Sequence, residues 1–367
     1  MEQTACIDTC GTISYNDRMN SIFSYTPDAL PKLVASLKQP KFRTKQLTQW
    51  LYQHAAQSYD DMTNLPKAMR EELARVAPLE VPTIIDKQIS TDGTQKFLLQ
   101  LSDGALVETV AIPSRDRNVQ GDARRLTVCF STQVGCSMGC AFCATGREGF
   151  TRNLLPGEMV WQLIICQQEL GIRVSNAVGM GQGEPFLNYD NVIGALRFIN
   201  SADGMAIGAR HLSVSTCGIP QAIERFGREP EQFTLAVSLH SADQPTRDAL
   251  MPHCANAPLA FLHQSIEKYQ AACHRRVSFE YLMIQDLNDS PEDLEMLVEY
   301  CRGLSVHINL LHVNSVEGSP FTPSPEKRLK KFVATLEKNN ISATIRDSRG
   351  ADIDGACGQL KNKRLAH

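Results

Sequence analysis

The spacing of hydrophobic and polar positions changes character twice along this chain, dividing it into three kinds of structure. From about residue 27 to 80 the pattern is helical. Leu47, Trp50, Leu51 and His54 fall at i, i+3, i+4 and i+7, and Met69, Leu73, Val76 and Ala77 repeat the spacing. Asp60 to Pro66 reads as the connection between helices. From 83 to 112 the period drops to two. TIIDKQIS, QKFLLQL and ALVETVAIP are separated by Asp92-Gly93 and Asp103-Gly104, which predicts a small antiparallel meander closed by tight turns. Residues 113–125 are charged, contain Pro113 and Gly121, and read as a linker.

Beyond the linker, strand and helix patterns alternate to the end. LTVCFS, SNAVGM, HLSVST, FTLAVSLH, VSFEYLMI and HINLLHV predict strands. Helices are expected to begin near Pro156, Tyr189, Pro220, Pro258, Pro291 and Pro325, since proline suits a helix's first turn. Six β/α units without a Gly-rich dinucleotide fingerprint predict the α/β class: a partial (β/α)6 barrel of parallel strands, its edge covered by SATIRD. The expected organisation is a disordered tail over 1–20, a helical accessory domain over 21–82, the β meander and linker over 83–125, and the barrel over 126–367.

Composition narrows the function classes. Of the 367 residues, 43% are hydrophobic and 21% charged, as in an ordinary globular protein. The start of the chain has no basic region followed by an apolar core, and MVWQLIIC is cut short by glutamines. Neither a signal peptide nor a membrane span is expected, and the reading is cytoplasmic. Twelve cysteines in such a chain point to thiols used as ligands or reactants rather than as disulfide staples. With a net charge of −3, any nucleic-acid contact must come from local basic groups such as Lys41/Arg43/Lys45, Arg115/Arg117, Arg124/Arg125, Arg210/His211 and the lysine-rich end.

The chemistry concentrates in Cys136-Ser-Met-Gly-Cys140-Ala-Phe-Cys143. Three closely spaced loop thiols can share one metal centre. Structural zinc wants four ligands, usually as two pairs, and no second pair is present. An iron–sulfur cubane usually takes four thiolates; three leave one iron open to a chelating small molecule with an amine and a carboxylate. A zinc loop or three buried cysteines remain the alternatives.

In a parallel barrel the loops leaving the strands' C-terminal ends share one face. That face should carry the cysteine loop, Gly181-Gln182-Gly183-Glu184-Pro185, Ser215, Ser238-Leu239-His240, Asn314, and Cys357 in RGADIDGACGQL. Each has a plain reading. The GxGEP run could be a tight turn, His240 a satisfied core histidine, Asn314 a turn cap and Cys357 an apolar filler. Cys129 reads most simply as a core residue. The glycines around Cys357 suit a movable, reactive thiol. The cysteines at 166, 217, 254, 273 and 301 lack metal spacing and read as packing residues.

Taken together, C-x3-C-x2-C, TVCFSTQVGCSMGCAFCATGREGFTRNL, the GEP turn, SLH and IRDSRGADIDGACGQL resemble the RlmN/Cfr group of radical-SAM RNA adenine methyltransferases. FRTKQLTQWLYQHAAQSYDDMTNLP resembles that group's N-terminal domain, and the likeness runs from about residue 25 to 362. The resemblance implies a 4Fe-4S cluster on Cys136, Cys140 and Cys143. It implies S-adenosylmethionine (SAM), two per turnover, held by Gly183, Glu184, Ser215, Ser238, Leu239, His240 and Asn314. It implies Cys357 as the S-methylated cysteine, Cys129 as the resolving thiol that forms a transient disulfide with it, and Glu108 as proton acceptor. The implied partners are 23S rRNA, tRNA and an electron donor such as a flavodoxin or ferredoxin system, with the protein a monomer. Carbon 2 of adenine is the expected target. Carbon 8, as in the Cfr branch, a zinc-stabilised RNA-binding protein, and a radical-SAM enzyme acting on another substrate are the rivals. The sequence departs from the group's pattern at Gln182, where methionine is usual, at Gly355, and in the HVN run before Asn314.

Overall fold

A computed structural model describes residues 21–116, 121, 123–254, 257–314, 316 and 318–361. The expected tail over 1–20, Arg117 and the lysine-rich end beyond Lys361 lie outside the described residues. Three short helices come first: α1 (Leu30–Ser36), α2 (Phe42–Tyr52) and α3 (Lys67–Val76). Leu47, Leu51, Met69 and Leu73 are buried, as their period requires. His54 falls past the end of α2 and is exposed, so the helical spacing overran the helix there.

The alternating segments form β1 (Thr83–Ile89), β2 (Gln95–Gln100) and β3 (Leu106–Pro113), paired antiparallel across the two Asp-Gly turns. They do not stand apart from the barrel. β3 pairs antiparallel with β4 (Leu126–Cys129), placing Val110 opposite Cys129. A hairpin that the alternation did not predict, β5 (Gln133–Gly135) with β6 (Phe150–Asn153), brackets the cysteine loop. Each of its strands is too short to show a period.

Helix α4 (Pro156–Leu170) leads to β7 (Val174–Gly179), and α5 (Tyr189–Asn200) to β8 (Leu212–Thr216). Next come α6 (Pro220–Phe226), β9 (Thr234–Ser238), α7 (Gln244–Leu250), α8 (Leu259–Cys273) and β10 (Val277–Met283). The chain closes with α9 (Pro291–Tyr300), β11 (Val306–His312), α10 (Glu326–Lys338) and β12 (Ser342–Arg346). β4 and β7 to β12 are parallel neighbours, and among the described residues one ten-stranded sheet runs from β1 to β12 without closing. This is an α/β architecture: an open parallel barrel, helical at its N-terminal side, with an antiparallel extension. The unforeseen α7 starts where the Asp243 carboxylate accepts the Thr246 amide at 3.0 Å.

The N-terminal helices and the barrel share one hydrophobic core. Phe23 lies against Gly157 of α4 so closely that a Cβ there would sit 2.2 Å from the ring. Tyr52 packs on Phe198 of α5, with ring centroids 4.6 Å apart. The start of α4 is held by a buried charge cluster. Arg152 donates to both oxygens of Asp103 (2.8 and 3.1 Å) and both of Glu158 (2.9 and 2.8 Å). A single guanidinium thus fastens the second meander turn, the end of the cysteine hairpin and the first turn of α4. No described helix is long and apolar enough to cross a membrane.

Candidate active site

The cysteine loop leaves β5 at Gly135, and the Cys136 amide donates back to Gly149 at 2.8 Å. Cys136, Cys140 and Cys143 line one cavity at the C-terminal ends of the barrel strands, with Met138 and Phe142 as its apolar wall. Among the described residues, no three His, Cys, Asp or Glu side chains meet at a point suited to a single ion. A cubane asks for something else: each iron takes its own thiolate, so the ligands surround a volume instead of converging. Burial pushes the Cys136 thiol up to about 12 and Cys140 well above its usual value. A cluster would replace those protons on binding. Three thiols beside an apolar wall, facing a polar rim, fit an incompletely ligated cluster plus a small zwitterionic cofactor.

The polar rim comes from successive strand ends. Gly183, Glu184, Ser215, Ser238, His240 and Asn314 line the same cavity. Gly183 has φ 106°, and a Cβ there would lie 2.6 Å from Gln133, so only glycine fits the turn. Glu184 is buried and caps the next turn, its carboxylate accepting the Phe186 amide at 2.9 Å and the Cys217 amide at 2.8 Å. Burial raises its pKa, and these amides pull it back. The tight-turn reading of GxGEP is thus met, and Gly183 and Glu184 also line the cavity. His240 is held neutral, since burial drives its pKa down to about 3. Its Nδ1 accepts the Leu282 amide at 3.1 Å, so the ring proton sits on Nε2. The ring stands edge-on to Phe142, 4.7 Å between centroids. Leu239 differs from its neighbours: its side chain is fully buried in the core and does not line the cavity.

Cys357 lines this cavity and a second one that shares its wall. Its carbonyl accepts the Asn314 side-chain amide at 3.1 Å, so Asn314 does more than cap a turn. The exposed surface of Cys357 faces the cavities, and protein crowds it on other sides. That crowding, with help from Glu280 and Cys143, pushes its pKa up to about 11. The chain's own groups therefore work against a Cys357 thiolate. Cys129 lines the second cavity from β4, and its buried thiol is also raised by burial and then by Cys357. Both cysteines are free thiols.

Glu108 lines neither cavity. It is buried in β3, with Oε1 3.1 Å from Lys96 Nζ and Oε2 accepting the Lys361 amide at 2.7 Å. Burial lifts its pKa to about 7 against the opposing pull of Lys96; Glu148 adds a smaller raising effect. Gln182 explains itself here. β4 ends at Cys129, leaving the Glu108 amide without a strand partner, and the fully buried Gln182 side chain accepts it at 3.0 Å.

The meander docks the segment that carries Cys357, a role the sequence reading missed. Asp92 accepts Arg349 Nε at 2.7 Å and the Gly350 amide at 3.1 Å, and Asp352 accepts from Ser90 Oγ at 2.6 Å and the Thr91 amide at 3.0 Å. Lys96 had one available signal: a lysine inside an apolar strand, on the same sheet face as Glu108 once the Asp103-Gly104 turn sets the register. Several basic candidates are partly neutralised. Lys45 pairs with Asp203, Arg115 with Asp347 and Arg125 with Asp116. Cys217 and Cys254 pack together behind the cysteine loop, the Cys254 thiol 3.8 Å from the Cys217 carbonyl.

Known proteins resemble this chain in sequence and fold. Residues 20–79 match the ribosomal RNA large subunit methyltransferase N-terminal domain, and residues 130–301 match the radical SAM superfamily. The chain is 39% identical over 348 residues to a probable dual-specificity RNA methyltransferase RlmN of Clostridium novyi, covering 95% of this chain and 99% of the relative. It is 42% identical over 355 residues to the dual-specificity RNA methyltransferase RlmN of Nitratidesulfovibrio vulgaris, covering 95% and 96%. The crystal structure of a radical SAM methyltransferase from Sphaerobacter thermophilus superposes with a TM-score of 0.85 at 40% identity, over 93% of this chain and 99% of that one.

Proposed function

This chain belongs to the RlmN family of radical-SAM RNA methyltransferases, and we propose that it methylates carbon 2 of adenosine in 23S rRNA and of the adenosine 3′ to the anticodon in tRNA. The observation that carries this reading is the shared cavity wall of Cys143 and Cys357, with Cys129 on the adjoining cavity. Cys136, Cys140 and Cys143 would hold a 4Fe-4S cluster, and the rim from Gly183 to Asn314 would hold SAM. The bound groups would supply the methyl, a hydrogen-abstracting fragment and single electrons, and would take back the one electron that the adduct sheds as its ring proton leaves.

The protein's own residues do the rest. Cys357 carries the methyl carbon as a thioether and, through that carbon, becomes bonded to the adenine ring. Glu108 takes the ring proton. Cys129 attacks the Cys357 sulfur; the sulfur–carbon bond breaks with its electron pair on carbon, which is protonated to the new methyl group. The resulting Cys129–Cys357 disulfide needs two electrons from an external donor, such as a flavodoxin or ferredoxin system, before the next turnover. The helical unit over 21–82 and local basic groups would grip the RNA backbone, with salt-sensitive affinity. The base must leave its stack to reach Cys357.

Nucleoside mass spectrometry of rRNA and tRNA digested after reaction tests the proposal. 2-Methyladenosine is the expected product. 8-Methyladenosine would move the enzyme to the Cfr-type reaction, and methylation surviving Cys357→Ala would refute the methyl-carrier role.

A further inference from the structure

Lys96 is a cation placed inside a sheet. It sits in β2 next to Phe97 with only 5% of its surface exposed. A buried ammonium is tolerated only where it is paired and hydrogen-bonded. Lys96 has two attachments: Glu108 Oε1 at 3.1 Å and the Asp354 carbonyl at 3.3 Å. Glu108, in turn, accepts the Lys361 amide on Oε2. One ion pair therefore holds both flanks of the segment carrying Cys357, at Asp354 before it and Lys361 after it. The same two contacts cover Glu108. Oε2 keeps a second lone pair beside the Lys361 amide, through which a substrate base can reach the carboxylate.

We propose that Lys96 is a positioning residue for the proton-removal step: it anchors Glu108 through Oε1, reserves Oε2 for the ring proton, and ties the charge on Glu108 to the hold on the Cys357 segment. This rests on the reading of Glu108 as proton acceptor. The coupling is electrostatic. An ionised Glu108 makes charge-assisted bonds to Lys96 and to the Lys361 amide. Once a proton from the ring carbon sits on Oε2, that oxygen no longer accepts the Lys361 amide as an anion, and the attraction for Lys96 falls. The one electron that the adduct sheds in this step returns to the bound groups. Both flanks loosen when the base has done its work, which is when Cys357 must turn toward Cys129. Glu148 is a further charge near Glu108, and it opposes ionisation.

Two measurements on the full chain test the inference, with Lys96→Met, Lys96→Arg and Glu108→Gln. The first is hydrogen exchange of peptides spanning 350–361 in the cluster-free protein, corrected for intrinsic chemical exchange. Wild-type exchange should slow as pH rises through the ionisation of Glu108, Lys96→Met should exchange about tenfold faster at neutral pH, and Lys96→Arg should stay near wild type. The second is the lifetime of the covalent enzyme–RNA adduct on an rRNA hairpin, using reconstituted enzyme. Lys96→Met should resolve the adduct more slowly at neutral pH, with its pH profile displaced upward, and Lys96→Arg should restore the profile. A Lys96→Met enzyme indistinguishable from wild type in both measurements, while Glu108→Gln stalls, overturns this inference alone. Glu108→Gln resolving the adduct at the wild-type rate overturns the base reading and this inference with it. If Lys96→Met does not fold, the wild-type pH series decides: segment exchange that ignores pH between about 6 and 8 overturns the coupling.

Discussion

The Ala144 amide donates a 2.7 Å hydrogen bond to the carbonyl of Gly358. Each of these residues directly follows a cysteine of the proposed chemistry, Cys143 in the cysteine loop and Cys357 in the C-terminal segment. Two stretches from opposite ends of the barrel sequence are thereby joined main chain to main chain, and Cys357 is held at the cavity that the three clustered thiols line. The rest of the segment is fastened by polar bonds to the meander, by Thr145 Oγ1 donating to the Leu360 carbonyl at 2.8 Å, and by Leu360 packing with Val110 and Cys129.

Mass spectrometry of the purified protein should find a methyl group on Cys357 and on no other cysteine. Cys357→Ser should leave the fold intact, because the residue is exposed to the cavities, and should lower methylation by at least about a thousandfold, as loss of a nucleophile does.

Proton removal should depend on pH through Glu108, whose pKa is raised to about 7 by burial. The carboxylate accepts a proton only when ionised, so adduct resolution should fall about tenfold for each pH unit below that value and level off above it. Glu108→Gln should be slower by about a hundredfold at the plateau and insensitive to pH there. Stability runs the opposite way. A raised carboxyl contributes stability in full below its unfolded value and loses it as pH rises through about 7. Denaturation midpoints of Glu108→Gln should therefore decline less than those of wild type between mildly acidic and neutral pH.

Arg152→Met should destabilise the protein by about 3 to 5 kcal/mol, because it leaves the carboxylates of Asp103 and Glu158 buried without their cation. Urea denaturation followed by circular dichroism measures this. A loss below about 1 kcal/mol would mean that the cluster is no better than a surface ion pair.

Gly183→Ala should weaken SAM binding, measured by calorimetry on the reconstituted protein. Its left-handed backbone and the 2.6 Å approach to Gln133 leave no room for a methyl group. The turn must shift, at about 2 kcal/mol or more of combined strain and clash.

Much of this was legible in the chain. Helix starts at Pro156, Pro220 and Pro291, the two Asp-Gly hairpins and the parallel barrel strands follow from local geometry acting over a few residues. The cysteine spacing pointed to one shared site for the same reason: the three candidate ligands are neighbours in sequence, and they line one cavity. Errors arose where a pattern was too short or ran too far. The strands of the hairpin around the cysteine loop are shorter than a readable period, and His54 continued a helical spacing after α2 had ended.

Hydrophobic period, turn chemistry and motif spacing were thus enough to specify most of the elements and to single out the candidate reactive residues, because each is set by forces between near neighbours along the chain. They could not say that the meander would join the barrel sheet through Val110 and Cys129, that Gln182 would satisfy the Glu108 amide, or that Lys96 would grip Asp354 while paired with Glu108. Those contacts join groups far apart in sequence. A buried donor or charge takes whatever partner the packed fold brings within reach, and only the assembled three-dimensional structure decides which partner that is.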